Sequence, residues 1–96
     1  MMKNQKEKLK RQLEEAKRSA LGIAYSKNVD ILLGYISQLQ KKLKSDSLLE
    51  LMDLIEVNRY TIKEKNIPRI YDLLYEINHG VNVKDVVNLI KPLVIA

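Results

Sequence analysis

His79 is the only histidine of the chain. Imidazole is the side chain that exchanges protons near neutral pH and a common metal ligand, but either task needs a second ligand or an acid–base partner at the right reach. There is no cysteine, which removes thiol nucleophiles, disulfide frameworks and Cys-based zinc sites. Carboxylates occur next to each other at Glu14-Glu15, or three apart at Glu50 and Asp53. Neither pattern has the apolar surroundings that would push a carboxyl pKa upward, so both read as solvated surface. No glycine-rich phosphate loop, Gly-x-Ser-x-Gly or His-Glu-x-x-His is present. His79 lies at the end of a helical pattern, where a cationic or hydrogen-bonding side chain suits the helix dipole in any case. The expectation is a protein that is not an enzyme and uses no metal or cofactor.

The remaining chemistry is that of binding. Seventeen basic and 12 acidic residues give a net charge of +5. Residues 1–18 alone hold seven basic and three acidic groups. Such an excess suits anionic partners, nucleic acid or the inner membrane leaflet, and is equally explained by lysines that solvate a face. A second concentration surrounds a turn: Tyr60, Lys63, Lys65, Arg69 and Tyr75. These five are candidate partner contacts. Their alternative reading is that the tyrosines pack with their hydroxyls in water while the basic residues solvate the turn.

The elements that position them read as helices. Two prolines, three glycines and a Leu- and Lys-rich composition argue for helices joined by short turns. A first helix is expected over residues 4–25, with Leu9, Leu13, Ala16, Ala20 and Ile23 as its apolar stripe. Gly22 would loosen its end. This stripe reads as core. After Ser26-Lys27-Asn28, Asn28 is the candidate N-cap of a second helix that buries Leu32, Ile36, Leu39 and Leu43 beside Tyr35. Lys41, Lys42 and Lys44 complement its C-terminal dipole. Ser47-Leu48-Leu49-Glu50 has the form of a capping box. The helix behind it carries Leu48, Leu49, Leu51, Met52, Leu54, Ile55 and Val57, an arc wide enough to predict the most buried helix. Asn66-Ile67-Pro68 opens a fourth helix that buries Ile70, Leu73, Leu74 and Ile77 and stops at Gly80 in a left-handed cap. Asn82 starts a fifth helix that packs Val86, Val87, Ile90 and Leu93, with Pro92 close to its end.

Ninety-six residues suit a single domain over 1–96, the first six or so frayed, that buries roughly 65% of its unfolded surface. The predicted fold is all-α: an antiparallel four-helix bundle with a short fifth C-terminal helix. No apolar run reaches the ~20 residues of a membrane span, and none follows the basic start as in a signal peptide. A cytoplasmic protein is expected.

Residues 48–80, a helix ending near Tyr60 and Lys63, then Lys65-Asn66-Ile67-Pro68, then Ile70, Tyr71, Leu74, Tyr75, Ile77 and Gly80, resemble bacteriocin immunity proteins of the enterocin A, class IIa (pediocin-like) type. About two-thirds of the chain takes part, helix 1 by pattern alone. The resemblance implies a basic cytosolic helical bundle that protects its producer. The partner would be the membrane-embedded mannose phosphotransferase permease with bound bacteriocin, engaged from the cytosolic side, with peripheral contact to the inner membrane face. In that family the C-terminal half sets which bacteriocin is resisted. Here this implies the part after Asn58, hence Tyr60, Lys63, Lys65, Arg69 and Tyr75. Several members carry a longer polar tail where this sequence has the apolar Lys91-Pro92-Leu93-Val94-Ile95-Ala96.

Two other readings stay open. Residues 71–91 have the proportions of a helix-turn-helix. Lys84, Asp85, Asn88 and Lys91 would face the groove, with an acid in the leading turn and no arginine for guanine, so nucleic acid is a poor fit. A helical adaptor or toxin-neutralising partner would use helix 1 as its arm, although about two heptads is short for a coiled coil.

Overall fold

The computed structural model describes residues 2–95, with side chains from residue 5 onward. Met1, one of the six residues expected to fray, lies outside the described residues, as do the side chains of residues 2–4. The described chain is all-helical: α1 (Met2–Ala20), α2 (Ser26–Leu43), α3 (Asp46–Val57), a single 3-10 turn (Glu64–Asn66), α4 (Ile67–Ile77) and α5 (Val83–Ile95).

Three of the helix ends are set by left-handed residues. At the end of α1, Gly22 takes φ +70°. The Ile23 N–H then donates to the Arg18 carbonyl (2.8 Å) and the Gly22 N–H to that of Ser19 (3.1 Å). This pair of bonds is a Schellman motif, which satisfies carbonyls that a helix end would otherwise leave orphaned. Helix α1 therefore stops five residues before the predicted limit; Gly22 ends it instead of loosening it. Gly80 (φ +87°) closes α4 in the same way, through Val81 N–H to Glu76 O and Gly80 N–H to Ile77 O, both 3.2 Å. Lys44 ends α2 at φ 48° without the freedom of glycine, its N–H bonded to Gln40 O at 2.7 Å.

Two predicted caps are corrected. Helix α2 begins at Ser26, not after Asn28, and no side chain of its own caps it. Helix α3 begins at Asp46, so Ser47 already lies in the first turn and cannot head a capping box. The Asn82 start of α5 forms as expected, its Oδ1 accepting from the Asp85 N–H at 3.2 Å.

The core is built from α2 to α5 and two connections. Val29, Leu32, Ile36 and Leu39 of α2 meet Leu48, Leu51 and Ile55 of α3. Ile67, Ile70, Leu74 and Ile77 of α4, with Val86, Val87, Ile90 and Val94 of α5, complete it. Helix α3 packs on α2 and α5, and α4 on α5. The predicted primacy of α3 does not hold, because its wide apolar arc turns Leu49 and Val57 outward, Val57 to 81% exposure. Ala24 and Ile62, both in connections, are fully buried.

Helix α1 departs most from expectation. Of residues 5–20 only Glu15 and Arg18 are drawn out of solvent, and Leu9, Leu13, Ala16 and Ala20 are exposed. A 19-residue helix is about 28 Å long, and its projection accounts for an elongated molecule of 50 × 26 × 20 Å. The apolar stripe read as core is a free edge, since α2 to α5 already close a core among themselves.

Candidate interaction surface

The α1–α2 connection crosses the α3–α4 connection, and this crossing organises the basic turn. Ile23 and Lys63 form an isolated antiparallel bridge. The Ala24 N–H donates to Ile62 O (2.7 Å) and the Glu64 N–H to Gly22 O (2.8 Å). The bridge forces Ala24 and Ile62 inward, which explains their burial.

It also aims two carboxylates at the start of α2. Glu64 Oε2 accepts from the Tyr25 N–H (3.3 Å) and its Oε1 from Asn28 Nδ2 (3.2 Å). Glu15 Oε1, from α1, accepts from the Ser26 N–H (3.3 Å). The first amides of a helix are unsatisfied donors at the positive end of its dipole, and negative groups stabilise them. Asn28, predicted as the cap, instead steadies the carboxylate that serves as one.

Arg18 fastens α1 to this crossing. Its residue is buried to 6% exposure. Nη1 donates to Ala24 O (3.3 Å), and the guanidinium carbon stands 4.6 Å from the centre of the Tyr60 ring, within the range of a cation–π contact. Among the described residues, Nη2 of Arg18 and Oε2 of Glu15 find no hydrogen-bond partner. Arg11, Glu14 and Glu15 of α1 face Tyr25, Ser26, Lys27 and Asp30 across an open groove of about 670 Å³.

The five predicted contacts do not gather on one patch. Tyr60 is 65% exposed but holds Arg18 against its ring. Lys63 is half-buried at the bridge. Lys65, in the 3-10 turn, and Arg69, in the first turn of α4, are exposed. Tyr75, 57% exposed, lies six residues beyond Arg69, about 240° round the helix. There its ring stands 4.4 Å from that of His79, whose Nδ1 contacts Tyr75 O at 3.3 Å. Lys63, Lys65 and Arg69 share the turn; Tyr75 belongs to the far end of α4. Beside the turn, Arg59 Nη2 bridges Asp30 of α2 (2.7 Å) and Glu56 of α3 (3.0 Å). The hydrogen bond to Glu56, then that to Asp30, raises its already high pKa.

Glu15, read from sequence as solvated surface, is half-buried at the start of α2, and Arg18 and Glu64 carry no sequence signal of their roles, because each acts on a residue outside its own helical turn. Among the described residues no group of three or more His, Cys, Asp or Glu could hold a metal ion. No described helix is long and apolar enough to cross a membrane. Compared with protein-family models, curated protein sequences and solved structures, the chain matches none at the significance required.

Proposed function

We propose that this protein acts by binding, as an intracellular immunity protein that protects its producer from a class II bacteriocin. In this reading α2 to α5 form the antiparallel bundle and the basic turn between α3 and α4 meets the partner. The partner is the mannose phosphotransferase permease with bound bacteriocin, approached from the cytosolic side. The observation that carries the reading is the exposure of Lys65 and Arg69, with Lys63 half-buried beside them, at a turn within the part after Asn58 to which the resemblance assigns specificity. The cationic turn is also held from behind by the bridge of Ile23 to Lys63, so it needs little ordering on contact.

The test is a challenge assay. A sensitive Gram-positive host expressing the chain is grown against a panel of class II bacteriocins, with empty vector as control. Tolerance to one or a few peptides is expected, and Lys63→Glu/Lys65→Glu should remove most of it while leaving the melting temperature nearly unchanged. Tolerance to none, with abundant folded protein, would sink the reading. Undiminished protection by the double variant would move the contact surface elsewhere.

Nucleic-acid binding through α5 draws less support. Val86, Val87, Ile90 and Val94 commit one side of α5 to the core, and Lys91 lies 3.8 Å from Glu50 of α3. The outward side offers Asp85 and Leu89 beside Lys84 and Asn88, a poor set for a DNA groove.

A further inference from the structure

The exposed stripe of α1 has the geometry of a helix-pairing seam. Leu9 (60% exposed), Leu13 (62%), Ala16 and Ala20 follow one another at steps of four, three and four. At about 100° per residue they fall within an arc of about 60°, the narrow a/d line of a coiled coil. Lys6 takes the next seam position toward the N-terminus, so the apolar line starts at Leu9. Lys10 and Lys17 border it on one edge, and Gln12 and Ser19 on the other. Glu7, Glu14 and Glu15, the acids of α1, lie about 130–150° round the helix from the seam, on the side of Arg18 and the body. Lys10 and Lys17 thus line one side of the free edge, whereas the acids lie behind it together with Arg11 and Arg18.

We propose that this edge docks an acidic amphipathic helix of a partner protein, with apolar a and d positions and carboxylates beside them, as one strand of a short two-stranded coiled coil. Lys10 and Lys17 occupy the flanking positions whose charges choose the partner in such pairs. A carboxylate-flanked helix gains ion pairs there. A second copy of α1 does not: antiparallel, its lysine edges oppose each other, and parallel, they meet Gln12 and Ser19. A lipid surface fits less well, because membrane binding scales with apolar area and this face offers two leucines, two alanines and no aromatic ring. Ala16 and Ala20 instead let a partner helix approach closely. The inference is independent of the bacteriocin reading, and its test needs no bacteriocin.

The full chain is titrated, at low and high salt, against a labelled synthetic peptide of three heptads with Leu at a and d and Glu at e and g. The same peptide with Lys at e and g is the control. The acidic peptide should bind, about tenfold or more weaker at high salt, and the basic one should not. Lys10→Glu/Lys17→Glu should reverse that preference, and Leu9→Gln/Leu13→Gln should abolish binding. These side chains are exposed, so circular dichroism should show unchanged helix content. If the leucine variant did lose helix, the lysine reversal, which keeps the seam, carries the test. Binding of neither peptide, or a preference unmoved by the reversal, would overturn the proposal. So would self-association in sedimentation, or partition onto phosphatidylglycerol vesicles, that the acidic peptide fails to displace.

Discussion

At the residue scale, the informative side chains are those whose setting conflicts with their type. Lys44 holds φ 48°, a left-handed conformation that costs an L-residue roughly 1–2 kcal/mol. Glycine escapes that cost but loses more backbone entropy, so Lys44→Gly should stabilise by up to about 1 kcal/mol, read as a higher urea midpoint. A lower midpoint would mean that the lysine side chain contributes more than its backbone strain costs. Tyr71 packs edge-on to Tyr35 with ring centres 5.7 Å apart, and burial first, then the neighbouring Tyr35, raises its pKa. A raised pKa favours the neutral phenol in the fold. That contribution is complete below the unfolded value of about 10 and is lost as pH climbs through the higher folded value. Tyr71→Phe should therefore flatten the alkaline fall of stability, seen in urea midpoints on either side of about pH 10. An unchanged fall would assign the alkaline loss to other groups.

At the element scale, α2 depends on its neighbours for a proper start. Its Ser26 and Tyr25 amides are met by Glu15 and Glu64, from residues 11 and 39 positions away. Glu64→Ala should cost about 1 kcal/mol, the usual loss of a helix cap. Glu64→Gln, which keeps an acceptor but not the charge, should cost less. Equal losses in chemical denaturation would show that the carboxylate charge, not the hydrogen bond, stabilises this end. The same crossing explains why Asn28 misled as a cap. An asparagine before an apolar run is a cap signal only if the chain ahead of it is not already extended and paired, and Tyr25 is held extended next to the bridge.

At the scale of the whole molecule, α1 stands apart from a core that closes without it. Deleting residues 1–20 should leave a cooperatively folding protein that has lost only the anchoring contacts of Glu15 and Arg18, about 1–2 kcal/mol. The measurement is thermal unfolding by circular dichroism. Loss of the transition would return the Leu9 to Ala20 stripe to the core, against its exposure.

The helices, the Gly80 stop and most buried positions are legible in the sequence, because 3.6-residue periodicity and a C-terminal glycine act within a few residues of themselves, whereas Gly22 reads there only as a loosened end. Leu32, Ile36, Leu51, Ile55, Ile70, Leu74 and Ile90 were legible in this way. The sequence also located the basic turn of Lys63, Lys65 and Arg69. Tertiary structure alone decided which apolar stripe was surplus. Periodicity marks a face that can be buried, not whether a partner face remains for it, and four helices left none for α1. It decided too that Arg18 and Tyr60 meet, that Tyr75 faces away from Arg69, and that Glu15 and Glu64 serve α2, since these depend on two connections crossing far apart in the chain.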